Sequence, residues 1–264
     1  MQLSNDAFHA VSDLFHDISG IRLAESKRPL VAGRLQKLAQ GQGLASLDDY
    51  VDRLLAERDP AEIVRVVDKL TTNETYFFRE PQHFQFLAEL LAAHEPRRPF
   101  RVWSAASSSG EEAYSIAMLL AEKLGPDGWE VVGTDLSTAM VSAAQRGLYP
   151  MERARHTPRE YLKRHCLRGQ GEHEGQLLVS RALRQNVRFT AANLMEPLPD
   201  LGRFDVIFLR NVLIYFDTPA KEAIVKRVVQ LLQPDGYLFV GHAESLAHLQ
   251  LGLRTQRTAV YARG

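Results

Sequence analysis

The sequence has almost no cysteine. Cys166 stands alone, so neither an internal disulfide nor a cysteine-based zinc site can be built. Net charge is also missing, because 32 Lys and Arg meet 32 Asp and Glu. Without a global field, nothing draws the protein to nucleic acid or to an anionic membrane. No apolar run approaches the roughly 20 residues of a membrane span. The start, Met1-Gln-Leu-Ser-Asn-Asp6, lacks the basic and apolar regions of a secretion signal, so a cytoplasmic protein with no membrane insertion is expected. No repeat or low-complexity tract is present, and 264 residues suit one large domain or two modest ones.

Glycine is short where nucleotide binding would most use it. Residues 100 to 118 read as strand, turn and helix. Arg101 to Ser104 is a strand, Ala105 to Gly110 carries only small side chains, and Ile116, Leu119, Leu120 and Leu124 recur at helical spacing after Glu111. This is the first βα turn of a nucleotide-binding unit, where small residues let a ligand lie on the backbone and the helix start offers free N–H groups. The three glycines of the dinucleotide pattern and the lysine of a phosphate loop are both absent. A dinucleotide oxidoreductase is therefore the least favoured enzyme. Glu111 and Glu112 at the helix start would repel a pyrophosphate and suit a cationic or amine-bearing ligand. Val131-Val-Gly-Thr-Asp135 reads as a second strand ending in an acid, 24 residues after Glu111, near the spacing at which an acid meets ribose hydroxyls. Ribose plus a positive centre points to S-adenosylmethionine, with S-adenosylhomocysteine as product. Acids are also favoured at any helix start by the dipole, and that plainer reading weighs more on Glu112 than on Glu111.

In chain order, residues 1–72 read as an all-helical domain. Phe8, Val11, Leu14, Phe15 and Ile18 form one face ended by Gly20; Leu30, Leu35 and Leu38 mark a second helix; Ser46 caps a third and Pro60 opens a fourth. The second helix carries Lys27, Arg28, Arg34 and Lys37 with no acid between Ser26 and Gly43, a face suited to an acidic partner. Residues 73–99 read as an interdomain linker and helix, and Leu70-Thr-Thr-Asn-Glu-Thr-Tyr-Phe-Phe-Arg79 as a ligand lip. There Asn73 and Thr75 offer short hydrogen-bonding groups and Arg79 a fork for a carboxylate. Residues 100–264 read as an α/β domain. After Ser137 caps a helix, about forty residues pass before the third core strand, Asn186 to Thr190, too long for a plain loop. An inserted subdomain at about 150–186 is expected, a small capped helix from Thr157 plus a β-hairpin whose edges could accept an extended peptide. Asp205 to Arg210 reads as a buried strand, with Asn211-Val-Leu-Ile-Tyr-Phe-Asp217 at its ligand-binding end. A helix then runs from Pro219 to Leu232, and Pro234-Asp-Gly236 turns into the next strand. Five parallel strands and a terminal antiparallel pair are the Rossmann-like seven-stranded arrangement of class I methyltransferases.

Taken together, these stretches resemble the chemoreceptor-glutamate O-methyltransferases of bacterial chemotaxis, the CheR family. The likeness rests on Thr72-Asn-Glu-Thr-Tyr-Phe-Phe-Arg-Glu80, Trp103-Ser-Ala-Ala-Ser-Ser-Ser-Gly-Glu-Glu-Ala-Tyr-Ser115 and Arg210-Asn-Val-Leu-Ile-Tyr-Phe-Asp217, with the helical domain and the insertion. It implies methyl transfer from S-adenosylmethionine to glutamate side chains on a receptor's helical bundle, giving methyl esters. By motif position it implies cofactor contacts from Asn73, Thr75, Arg79 and Glu111, Asp135 on the ribose, and Asn193, Leu194, Asn211 and Val212 along the adenine and methionine ends. The basic helix would dock the bundle, and the insertion resembles one that holds a receptor's C-terminal pentapeptide in some members. Ser107 and Ala113 depart from the residues common in the family, Cys or Ala and Pro respectively. Since a glutamate is ionised at neutral pH it needs no general base, and Arg79 and Tyr215 are the candidates to orient it. No metal ligand set is read, and a monomer is expected. A methyltransferase with another acceptor, or a non-enzymatic adaptor for receptor tails, are the competing readings.

Overall fold

In the computed structural model, residues 1–93, 99–247, 249 and 251–263 are described; the linker expected to end at 99 thus has its residues 94–98 outside them. Four helices open the chain: α1 Asn5–Ser19, α2 Arg28–Gly41, α3 Leu47–Glu57 and α4 Pro60–Leu70. Each start has a local cause. The Ser4 hydroxyl accepts from Ala7 N, Ser46 from Asp48 N and Asp49 N, and the Asp59 carboxylate from Ala61 N just ahead of Pro60, whereas α2 has no side-chain cap and carries in its first turn Pro29, which has no N–H to satisfy. Their apolar faces close on one another around Phe8, Val11, Phe15, Leu35, Leu47 and Tyr50, all buried.

The α/β part follows α5, Pro81–Ala93, and is built on β1 Phe100–Ala105, α6 Glu111–Leu124, β2 Trp129–Asp135 and α7 Thr138–Arg146. An insertion comes next, comprising β3 Leu148–Pro150, α8 Arg159–His165, β4 Cys166–Arg168, β5 Gln176–Val179 and α9 Arg181–Arg184. The sheet resumes with β6 Val187–Ala191 and β7 Phe204–Leu209, then α10 Thr218–Gln230, β8 Leu232–Val240, β9 Leu253–Arg257 and β10 Val260–Arg263. Among the described residues the main sheet has seven strands in the order β6-β2-β1-β7-β8-β10-β9. The first five are parallel, and β10 runs antiparallel to both β8 and β9. That is the fold class the sequence led us to expect.

Burial explains the layering. Central strands β1 and β7 are apolar on both faces, as a doubly covered parallel sheet requires. Helices α5 and α6 cover one face with Phe84, Leu87, Ile116 and Leu120, and α10 covers the other with Ile224, Val225 and Val228. No helix among the described residues is long and apolar enough to cross a membrane.

Three local expectations are corrected. The insertion is a three-stranded sheet, β3-β5-β4, not a hairpin, because Leu148–Pro150 leaves the Gly147 cap already extended and pairs with β5. Thr157 does not cap α8, whose N-cap is Pro158; its hydroxyl is buried without a partner. Pro234-Asp-Gly236 does not precede β8 but lies inside it, as an irregularity opposite Phe204 and Val206, so the turn signal is absorbed as a bulge.

Candidate functional site

At the carboxyl ends of β1, β2, β6 and β7, beneath the helical domain, lies a cavity of about 360 Å³, within the usual range for a small-molecule site. The βα turn forms one wall. Ser107 N donates to Thr134 O at 2.8 Å, Gly110 N to Ser107 O at 3.0 Å, and Gly110 enters α6 at φ 96°. A Cβ there would meet Ala144 Cβ at 2.8 Å, so both conformation and space demand glycine. Among the described residues, Phe78, Glu80, Ala106, Ser108 and Asn211 hold positive φ without being glycine, and only Arg58 and Ala259 do so elsewhere. The rare backbone conformations therefore gather in the segments that enclose the cavity, where strain is retained only if surroundings enforce it.

What enforces it is a buried charge cluster. The Arg210 side chain is 1% exposed, and its guanidinium reaches Glu112 Oε2 at 3.0 Å and Glu80 Oε2 at 3.1 Å. It also donates to Arg79 O at 2.6 Å. Ser104 Oγ donates to Glu112 Oε1 at 2.6 Å, and Asn211 Nδ2 to Glu80 Oε1 at 3.1 Å. Burial pushes the Glu112 carboxyl up, against the pull of Arg210 and Ser104. Burial acts likewise on Glu80, but Arg210 and Asn211 outweigh it and hold that carboxyl below its usual range. Beside them, burial and Arg210 push His83 down to about 3, so its ring is neutral at neutral pH. Glu244 anchors the next turn, accepting from Asn211 N at 2.8 Å, Ile214 N at 3.2 Å and Gly241 N at 2.6 Å. A Cβ on Gly241 would fall 2.6 Å from Asn211 Nδ2.

The nine residues Asn73, Thr75, Arg79, Asp135, Asn193, Leu194, Asn211, Val212 and Tyr215 all line this one cavity. Asp135 takes Ser108 N at 2.8 Å on one oxygen and Ser137 N at 2.9 Å on the other, and burial raises its carboxyl to about 6. Arg79 donates to Glu74 O at 2.6 Å, using one of its five N–H groups. Asn193 Nδ2 donates to Ile18 O at 2.7 Å, bridging to the helical domain. Tyr215 is half-buried at the cavity wall and not a core aromatic.

Glu111 is the exception. It is 1% exposed and does not reach the cavity; Ser109 Oγ donates to it at 2.7 Å, and Arg153 bonds it at 3.2 Å while also donating to Thr75 O at 2.6 Å. Glu111 thus braces the lip through Arg153, and its neighbour Glu112, on which the plainer helix-start reading weighs more, is the one that lines the cavity. The basic helix also divides. Arg34 is committed to Leu70 O at 2.8 Å and Thr71 O at 3.2 Å, the carboxyl end of α4, leaving Lys27 and Lys37 exposed and Arg28 half-buried. Sequence reasoning passed over Arg210, Glu80 and Glu244; for Arg210 the signal available was an ionic residue directly following an apolar strand.

A small-residue turn, an acid closing β2 and a surplus of carboxylate at one end suit a nucleoside carrying a positive centre. Family comparison decides whose arrangement it is. The model described as "CheR methyltransferase, SAM binding domain" matches residues 73–261, and that described as "CheR methyltransferase, all-alpha domain" matches residues 6–71. The chain belongs to the CheR methyltransferase family. Among curated relatives, the chemotaxis protein methyltransferase of Escherichia coli K12 is 40% identical over 99% of this chain and 92% of its own length. Chemotaxis protein methyltransferase 2 of Pseudomonas aeruginosa is 41% identical over 98% and 93% respectively, and the Borreliella burgdorferi enzyme 32% over 93% and 90%. This CheR family member is an S-adenosylmethionine-dependent methyltransferase, and the cavity's charge and small-residue wall fit that cofactor.

Arg210→Met leaves Glu80 and Glu112 buried without their cation. Urea denaturation is expected to show a loss of about 3–5 kcal/mol, and a loss within about 1 kcal/mol, the size of an exposed pair, would mean the cluster is not what holds the cavity.

Proposed function

We propose that this enzyme methylates glutamate side chains on the cytoplasmic helical bundle of chemoreceptors, as an O-methyltransferase forming methyl esters. The observation that carries the reading is the convergence of the lip at 73–79, Asp135, Asn193-Leu194 and Asn211 to Tyr215 on one cavity. In this reading Asn73, Thr75 and Arg79 contact the cofactor, Asp135 takes the ribose hydroxyls, and Asn193, Leu194, Asn211 and Val212 line its two ends. When bound, S-adenosylmethionine supplies a methyl group activated by its sulfonium.

The acceptor carboxylate is already ionised at neutral pH. Its oxygen forms the bond to the methyl carbon as the sulfur–carbon bond opens and sulfur keeps the pair. One negative and one positive charge vanish together, so no proton moves and a dry site favours the step. The residues' task is therefore alignment. Arg79, with N–H groups beyond the one given to Glu74 O, orients the carboxylate, and the Tyr215 hydroxyl donates to its other oxygen. Lys27, which lines the cavity just ahead of α2, and Arg28 at the helix start would meet the acidic bundle, with Lys37 further along. The insertion offers a second contact: a shallow groove with Arg146, Arg168 and Arg184 among Leu148, Leu167 and Leu178. Its edge strands β3 and β4 and the 60% exposed Leu167 suit an extended tail that is both acidic and aromatic.

Receptor cytoplasmic fragments with labelled cofactor should acquire base-labile methyl esters, and Tyr215→Phe should lower kcat by about 10- to 100-fold with cofactor affinity kept. Absence of transfer to receptor while cofactor binds would move the assignment to another acceptor. Calorimetric titration with a peptide ending in an aromatic-acidic pentapeptide is expected to give binding that Arg168→Glu weakens; a silent wild-type titration would remove the tail contact. Cofactor affinity should also follow Asp135. Because the ionised carboxylate is the form that accepts from ribose, and the free-enzyme group titrates near pH 6, Kd should be flat above pH 7 and rise about tenfold between pH 7 and 5. A Kd unchanged across that range would exclude Asp135 from the ribose.

A further inference from the structure

The side of Glu80 turned away from Asn211 meets two histidines that the methyl transfer does not use. His83, on the first turn of α5, is 2% exposed, and neither of its ring nitrogens has a hydrogen-bond partner. An imidazole always bears at least one N–H, so a buried ring with none of its nitrogens engaged is incomplete as a purely structural group. His83 Nδ1 lies 3.4 Å from Glu80 Oε2, and His242 Nδ1 lies 3.8 Å from the same oxygen. The two rings are 4.7 Å apart at their centroids, and one ligand atom from each of the three residues falls within 4.8 Å of the others.

Those lengths carry a chemical meaning. Nitrogen and oxygen ligands bound at about 2.0–2.1 Å around a tetrahedral ion are separated by about 3.4 Å, the Glu80 to His83 spacing. His242 Nδ1 stands at 3.8 Å from the same oxygen as the third corner of the triangle, and its side chain, 38% exposed, leaves an approach from solvent. Two imidazoles and a carboxylate are a ligand set for a borderline dication and not for calcium or magnesium, which take oxygen. The charge balance allows it as well. Glu80 and Glu112 share a single buried guanidinium, Arg210, and if the 3.1 Å contact to Glu80 Oε2 lengthens, Arg210 retains Glu112 and Arg79 O.

We propose that Glu80, His83 and His242 form a binding site for one divalent transition-metal ion, zinc in preference, with an open fourth position on the His242 side. The site lies behind the cavity wall. Since Glu80 Oε1 holds the Asn211 side chain, an ion on Oε2 would stiffen that wall without touching the reacting atoms.

The test uses the whole metal-stripped chain, titrated with Zn²⁺ by calorimetry and with Co²⁺ by visible absorption, where tetrahedral coordination has its own intense bands. One ion per chain is expected. His242→Ala should weaken it at least tenfold, with circular dichroism to verify folding, and His83→Gln should do the same. His173→Ala, at an exposed histidine of the insertion, should change nothing. Zinc should raise the Tm of the wild type and not that of His242→Ala. No binding by the wild type, equal affinity in His242→Ala, or a loss in His173→Ala instead would each overturn the site.

Discussion

The guanidinium of Arg210 is the interaction on which the rest of this molecule depends. It follows directly on an apolar strand, is 1% exposed, and is boxed by Phe84 and Phe208. Its partners come from two distant stretches: Glu80 and the Arg79 carbonyl at the end of the lip, and Glu112 from the first helix of the α/β unit. A buried pair of this kind contributes little to net stability by itself, since the desolvation penalty offsets most of the attraction. What it supplies is position. Removing one partner leaves charges stranded, so the lip, the turn after β1 and the turn after β7 are obliged to meet in one arrangement, and the unusual backbone angles at Phe78, Glu80, Ala106, Ser108 and Asn211 are held there.

A second constraint joins the helical domain to that frame. Asn193 reaches Ile18 O, Asp68 accepts from Thr138 Oγ1 at 3.2 Å, and Arg34 closes the end of α4 where the lip begins. Phe15, Leu23 and Val31 from the helical domain thereby become cavity wall. The cavity is shared property: the α/β sheet supplies its polar floor and the helical domain much of its apolar roof. Exclusion of water, which the charge-neutralising transfer requires, is thus a task for both parts.

Much of this was legible because local chemistry decided it. Ser46, Pro60 and Gly20 mark helix ends by mechanisms confined to a few residues, and the small-residue run Ala105 to Gly110 announces a tight βα turn, which forms a wall of the cavity. Where tertiary packing decides, the sequence is silent. Glu111 and Glu112 are adjacent and alike, yet about 100° apart on a helix, so one faces Arg153 and the other Arg210. The three residues of β3 are too few for any alternation to register, and Pro234 in a strand is explicable only once the bulge opposite β7 is seen. Arg34 looked like one of four equivalent cations, until the carbonyls of Leu70 and Thr71 singled it out. Glu80 and His83 sit close in sequence at the start of α5, but nothing there foretells His242 arriving from the far end of β8.

The strand order also has a consequence in time. β1 pairs with β2, which follows within a few dozen residues, and on its other edge with β7, about a hundred residues later, as Val102 opposite Val206 records. Closing so long a loop costs entropy before the pairing returns any stabilisation, and non-local pairings of this sort are slow steps. The helical domain, made of near-neighbour contacts, reaches its form first during synthesis. It must then wait with Ile18 O unpaired and Ile21, which packs against the cores of both parts, uncovered on its α/β side until β6 and β7 are in register. The surface that later roofs the cavity is, in the nascent chain, an apolar surface open to aggregation.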